Sequence, residues 1–339
     1  MEREDGISVI ICCYNSSGKI EPTLEHLFRQ NINAGLNWEI ILVDNNCKDD
    51  TVQKATSIRN KFSQKIDFRT VHESTPGLMH ARKLGIASSK YEFLLFVDDD
   101  NWIDSDYLAN CHRIMSEFPN TAVLGGVGTA ASNSVPWWFK DYQQSYATGP
   151  QSETDGIVPT VYGAGMCVRY SAWAELENSG HKSIVLGRTG SKLSSGEDNE
   201  MCYSLRILGY DIRYSSHLTF KHDLPLDRLD WKHLRQLYFG FGEAKARLDA
   251  YTATMDGKPV PKNGRFPFWF NRIYFLTFSL LPEIGIILRS LIFSLEGDKR
   301  LLPVISKIGQ IKGIYSIRKE YLSMYREIAE FRSRVNRSK

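Results

Sequence analysis

The sequence predicts an α/β fold: a mixed, mostly parallel sheet flanked by helices, with a C-terminal helical subdomain. Three observations carry this. Over the first hundred residues, apolar runs of strand length alternate with helix-period segments, the pattern of βαβ units. Each apolar run ends in polar or acidic residues, and in a parallel sheet such exits fall on one edge. The last hundred residues lose the alternation and become helical and apolar, then basic.

Residues 7–11 form a continuous apolar strand that enters the polar turn 12–18. Residues 20–30 have helical spacing through Ile20, Leu24, Leu27 and Phe28, and Pro22 is tolerated near a helix start. Residues 38–43 are a second strand, ending in Asp44, Asn45 and Asn46. A helix over 51–62, a strand over 66–71 and a glycine-opened helix over 77–87 follow. Residues 93–97 read as a buried central strand that stops at Asp98, Asp99 and Asp100. Three adjacent ionised carboxylates cannot share a dry core, because each left unpaired costs several kcal/mol. They form either a solvated acidic turn or a hard-cation site for a phosphorylated substrate, since oxygen ligands suit Mg²⁺ or Mn²⁺.

The middle of the chain is less regular. Gly125, Gly126 and Gly128 mark a turn or a tight strand approach, and residues 136–142 an aromatic loop. Residues 161–169 resemble a strand that needs close backbone approach at its glycines. The Gly- and Ser-rich stretch 187–196 reads as a loop. A helix runs from Glu197 to Leu208, closed by Gly209. Short strands are expected over 211–214 and 218–221, and a helix over 231–246. Residues 266–295 are strongly apolar but interrupted by Asn271, Arg272, Pro282, Glu283 and Arg289. No uninterrupted stretch reaches the roughly 18–20 residues a bilayer requires, so two amphipathic helices broken near Pro282 are expected.

Composition narrows the function classes. The chain has 42 Lys and Arg against 39 Asp and Glu, so no nucleic-acid partner is expected. The charge is uneven: from Asp298 onward, 11 basic residues face four acids. The apolar stretch and basic tail over 266–339 suit either peripheral contact with an anionic membrane or a packed helical subdomain with a solvated end. The six cysteines form no CxxC pair and no zinc spacing. With a charged N-terminus, they suggest a reducing, cytoplasmic location, or the inner face of the cell membrane. No GxGxxG follows the first strand and no phosphate-loop motif occurs.

Five segments in order now matter together: Ser8 to Asn15, Ile41 to Asn45, Gly77 with Ala81 and Arg82, Phe96 to Asp100, and Gly196-Glu197-Asp198. Their order and spacing resemble glycosyltransferase family 2, over about residues 6–225. One departure is Cys12-Cys13, where the family has Pro-Thr. The resemblance implies a GT-A (Rossmann-like) catalytic domain over 6–225, with a nucleotide-binding half (6–125) and an acceptor-binding half (126–225). An amphipathic helical region over 226–339 follows.

The resemblance also implies roles. Cys13, Tyr14 and Asn15 line the nucleotide, and Asp44 reads the base, since a carboxylate can accept the N3–H of uracil. Arg82 lies beside the diphosphate. The DxD motif maps onto Asp98 and Asp100, with Asp100 on the metal and Asp98 on the ribose or the metal shell. Asp99 leaves a shifted register open. His222 matches a histidine that sometimes completes the metal shell. Asp198 matches the general base that an inverting transfer requires, with Glu197 the alternative. Trp137 and Trp138 are candidates for a sugar platform, and Gly165 for close backbone approach to a substrate. The implied activity is metal-assisted (Mn²⁺ or Mg²⁺), inverting transfer from a nucleotide diphosphate sugar, such as a UDP-sugar, to a glycan or lipid-linked acceptor. The alternatives are a sugar-phosphate nucleotidyltransferase and a non-catalytic nucleotide- or glycan-binding protein.

Overall fold

The computed structural model describes residues 3–32, 35–63, 66–132, 134–185 and 196–338. The chain divides into two compact units. The first comprises residues 1–135, 140–178 and 209–224, the second residues 136–139, 179–208 and 225–339.

The first unit is built on one sheet. In chain order its elements are β1 (Glu4–Cys13), α1 (Ile20–Phe28), β2 (Trp38–Asp44), α2 (Thr51–Asn60), β3 (Asp67–His72), α3 (Leu78–Ser88), β4 (Tyr91–Phe96), β5 (Asn101–Ile103), α4 (Tyr107–Glu117) and β6 (Thr121–Ala130). A short turn, α5 (Phe139–Tyr142), precedes β7 (Gly156–Ile157), β8 (Cys167–Arg169) and α6 (Tyr170–Asn178). After α7 (Glu197–Leu208), the chain returns to the sheet as β9 (Asp211–His222).

The strand order is β3-β2-β1-β4-β8-β6-β9-β5, with β7 beside β9. Strands β1 to β4 pair in parallel, while β8 runs antiparallel to both β4 and β6, and β5 antiparallel to β9. The expected mixed, mostly parallel sheet is therefore the one observed. The central strands β1, β2 and β4 carry continuous apolar runs because both faces are covered. Val9, Ile11, Ile40, Leu42, Phe93 and Leu95 pack into one buried cluster with Leu24, Leu27 and Phe28 of α1.

Two local expectations are corrected. The strand expected over 161–169 is only β8, because Gly165 takes φ +67 and turns the chain before Cys167. The two strands expected after Gly209 are one, β9. Its pairing with β6 jumps from Tyr214 to Thr219, across a polar bulge bracketed by Asp155, which accepts from the Ser215 hydroxyl and the Ser216 amide. That bulge made the run look broken. The second alternative expected at Gly125, Gly126 and Gly128, a tight strand approach, is the one observed: they lie inside β6, and a Cβ on Gly126 would sit 2.2 Å from the Leu218 carbonyl oxygen. The loop expected over 187–196 lies outside the described residues, except Gly196.

The second unit is helical. It holds α7, α8 (Trp231–Met255), α9 (Phe268–Phe278), α10 (Ile284–Ile292), α11 (Leu301–Ser316) and α12 (Tyr321–Ser338). The helix expected over 231–246 runs nine residues further. Helices α8 and α11 pack backbone against backbone: a Cβ on Gly242 would meet the Ser306 carbonyl oxygen at 2.0 Å, and one on Gly309 the Phe239 carbonyl oxygen at 2.1 Å. Residues 179–208, with Glu197 and Asp198, belong to this helical unit.

The basic tail is also a packed helix. Tyr321, Tyr325, Ile328 and Phe331 of α12 are buried. By contrast, Phe268–Ile292 is, among the described residues, one helical stretch long and apolar enough to cross a membrane, and almost none of it is buried. This corrects the expectation that no stretch reaches that length. A 3₁₀ turn over Leu281–Glu283 carries the helix past Pro282 with only a local change of winding.

Candidate active site

The sheet register brings the sequence-distant acids together. Cys13 lies opposite Asp44 across β1 and β2, and Ile10 opposite Phe96 across β1 and β4. The carboxyl ends of three neighbouring strands thus share one edge, where open α/β sheets bind ligands. Antiparallel pairing of β5 with β9 sets Asn101 opposite His222, which carries His222 to the same edge.

The loop after β1 is held by its neighbours. Asn15 adopts φ 52 and accepts from the Lys48 amide at 2.7 Å. Asp49 accepts from the Ser17 and Thr51 amides and so ties this loop to the start of α2. Cys13 is buried, and burial raises its thiol well above the ordinary range. Its carbonyl accepts from the Asn45 amide, so its contribution there is made by backbone. Tyr14 is exposed.

Asp44 sits at the exit of β2. Burial alone would raise its carboxyl, but the Cys47 amide at 2.8 Å and the His72 ring at 2.8 Å outweigh that and hold it below the ordinary carboxylate range. The Cys47 contact is a local one, from the Asp44 side chain to the amide three residues on. Asn45 accepts from the Gly77 amide and donates to the Thr75 carbonyl, linking this exit to the start of α3. Arg82 on α3 is buried, with its guanidinium over the Phe96 ring at 5.2 Å.

The acid triplet divides by direction. Asp99 turns back toward the first loop: it accepts from the Ser16 hydroxyl and pairs with Lys19 at 2.7 Å, while its carbonyl accepts from Thr23. Asp100 pairs with the His222 Nε2 at 3.5 Å and Lys19 at 3.7 Å, and accepts from the Asn101 amide group at 3.2 Å. Asp98 is pushed up to about 6, first by burial and then by Asp100, with Arg82 and His222 pulling the other way. Asp98 and Asp100 therefore share the side of Arg82 and His222, and Asp99 is occupied within the loop.

His222 is buried, and its Nδ1 lies 2.8 Å from the Tyr146 carbonyl. A carbonyl can only accept, so Nδ1 donates to it and Nε2 faces Asp100. Metal-ligating histidines are oriented in this way. Among the described residues, no three His, Cys, Asp or Glu side chains form a ready cluster for a metal. One carboxylate and one imidazole nevertheless fit an ion that takes its remaining ligands from water and substrate phosphates.

The other candidates lie elsewhere. Asp198 and Glu197 occupy the first turn of α7, where the helix dipole favours a carboxylate. Glu197 is buried. Gly165 is required by Tyr107: the Tyr107 hydroxyl donates to its carbonyl, and a Cβ there would meet that oxygen at 2.6 Å. Trp138 is 1% exposed; it donates to Glu296 and packs edge-on against Trp231. The sugar-platform role is corrected for Trp138, whose ring has no free face, while Trp137 is 74% exposed. Sequence reasoning missed Lys19 and Ser16. The only signal for Lys19 was a lone cation in an otherwise polar loop.

Two family models match the chain. One, described as glycosyl transferase family 2, covers residues 8–176, and the other, glycosyl transferase family group 2, covers residues 93–295. This chain is a family-2 glycosyltransferase. It is 24% identical over 249 residues to the succinoglycan biosynthesis protein ExoM of Rhizobium meliloti, covering 73% of this chain and 76% of ExoM. It is 29% identical over 129 residues to the poly(ribitol-phosphate) beta-N-acetylglucosaminyltransferase TarS of Staphylococcus aureus, covering 38% of this chain but only 22% of TarS. Among solved structures, GalNAc-T7 with UDP, GalNAc and Mn²⁺ aligns with TM-score 0.51 and 14% identity over 75% of this chain and 52% of that one. At that identity the likeness speaks for the fold, which is the expected GT-A architecture.

Proposed function

We propose that this glycosyltransferase moves a sugar, with inversion, from a UDP-sugar to a hydroxyl of a growing glycan or lipid-linked acceptor. The observation that carries the reading is the convergence of Asp44, Asp98, Asp100 and His222 on one sheet edge, with Asp100 and His222 3.5 Å apart. Asp44 is held ionised, as an acceptor for the uracil N3–H must be. Arg82 offers a permanent planar cation on the diphosphate side. Asp100 and His222 would hold Mn²⁺ or Mg²⁺, which when bound offsets charge developing on the departing diphosphate.

Asp198 is the proposed base. It takes the proton of the acceptor hydroxyl while the oxygen attacks the anomeric carbon. The new glycosidic C–O bond forms as the bond from that carbon to the diphosphate oxygen breaks, on the opposite face. The products are the inverted glycoside, UDP and protonated Asp198, which returns its proton to water. A growing polysaccharide is the acceptor class that fits ExoM, a relative matched over most of its length. The site is read as facing the cytoplasm.

The test is UDP release from a panel of UDP-sugars with Mn²⁺ or Mg²⁺. Turnover is expected with at least one donor and is lost on chelation by EDTA. Turnover unaffected by EDTA would remove the metal from the account.

A further inference from the structure

The outward side of α9 and α10 is an apolar surface that none of the described residues of the second unit covers. Phe275 is 66% exposed, Phe278 58%, Ile284 56%, Leu288 57%, Leu291 78% and Ile292 78%. Phe275 and Phe278, three apart, share one side of α9, and Ile284, Leu288 and Leu291, spaced by four and three, share one side of α10. The opposite side is fastened to the unit. Phe268 stacks on Tyr321 at 5.3 Å, Arg272 pairs with Asp249 at 3.1 Å, and Ile286 is buried. Single exposed apolar residues are ordinary, whereas a contiguous strip of this length marks a binding surface.

Charge identifies the occupant. Between residues 266 and 293 the only acid is Glu283, whereas exposed Lys262, Arg265 and Arg289 flank or rim the strip. A second copy docked by a twofold axis would set these cations against their own equivalents. An anionic lipid surface complements them, accepting the apolar strip into its acyl boundary and the cations among its headgroups. The aromatic residues Phe266, Phe270 and Tyr274 suit that depth.

We propose that α9 and α10 lie in the plane of an anionic bilayer surface, apolar side inward. Crossing the bilayer would strip away the contacts of Phe268 and Arg272. The membrane contact expected over 266–339 is thereby narrowed to about 266–293, since the apolar side of α12 is already buried.

The test is co-sedimentation of the full chain with vesicles of phosphatidylcholine, alone or mixed with phosphatidylglycerol. Wild type should partition onto the anionic vesicles about tenfold more strongly than onto the neutral ones. The combined variant Phe275→Ser, Leu288→Ser, Leu291→Ser should lose that partitioning by tenfold or more at an unchanged melting temperature, because all three side chains are exposed. Arg265→Glu with Arg289→Glu should remove the anionic preference. Equal binding by the serine variant overturns the proposal. So does a wild type that ignores vesicles but forms a dimer the serine variant cannot. Resistance of vesicle-bound wild type to alkaline carbonate extraction would mean a spanning helix and overturn the in-plane arrangement.

Discussion

At the residue scale, the acid triplet separates two roles that look alike in sequence. Asp99 is occupied by Ser16 and Lys19, while Asp100 shares its space with His222. Asp100→Asn should therefore lower turnover about 10²–10³-fold, the usual loss when one preorganised electrostatic group is removed. Asp99→Asn should cost about tenfold or less, and steady-state kinetics on the two variants decides the register. A second buried acid, Glu200 on α7, accepts from the Ser183 hydroxyl, the Ile184 and Val185 amides and the Tyr251 hydroxyl. Glu200→Ala would leave these donors buried and unsatisfied, a loss of about 2–4 kcal/mol by chemical denaturation. In the same network, burial pushes the His181 ring down from 6.5 to about 4. A neutral ring that must charge to titrate stabilises the fold fully above about pH 6.5, and that contribution is lost as the pH falls toward 4. Glu200, raised by burial, titrates with the opposite sign, so the comparison is with His181→Asn. Wild type should lose roughly 1–3 kcal/mol more than the variant across that window.

At the element scale, contact between α8 and α11 depends on glycine. Gly309→Val would drive a side chain into the Phe239 carbonyl, and a loss of more than about 2 kcal/mol is expected in thermal or denaturant melts. The same scale shows what could be read from sequence. Strands β1, β2 and β4 were legible because they are apolar runs ending in polar or acidic residues, and burial on both faces requires such runs. Strand β6 was not, because glycines that admit Leu218 and Ala147 at close range also resemble turn signals. Strand β9 looked like two strands because of its Ser215-Ser216-His217 bulge. Of the site, Asp44, the triplet and His222 were legible as polar groups at strand exits. Lys19 and Ser16 were not, since their meaning comes from a contact some eighty residues away in the chain. Trp138 misled because an aromatic pair in a loop does not reveal which ring is buried.

At the scale of the whole molecule, two compact units divide the labour. The sheet unit carries the residues proposed for the nucleotide, the diphosphate and the metal, and the helical unit carries Asp198 and the apolar strip of α9 and α10. The helical unit thus carries both the proposed base and the proposed lipid contact. The central claim is inverting transfer with Asp198 as base. It is tested most directly by single-turnover transfer from a UDP-sugar by wild type and Asp198→Asn, with UDP affinity measured in parallel. The account predicts a fall in rate of about 10²–10⁴-fold with UDP affinity unchanged. Transfer by Asp198→Asn at the wild-type rate would contradict it.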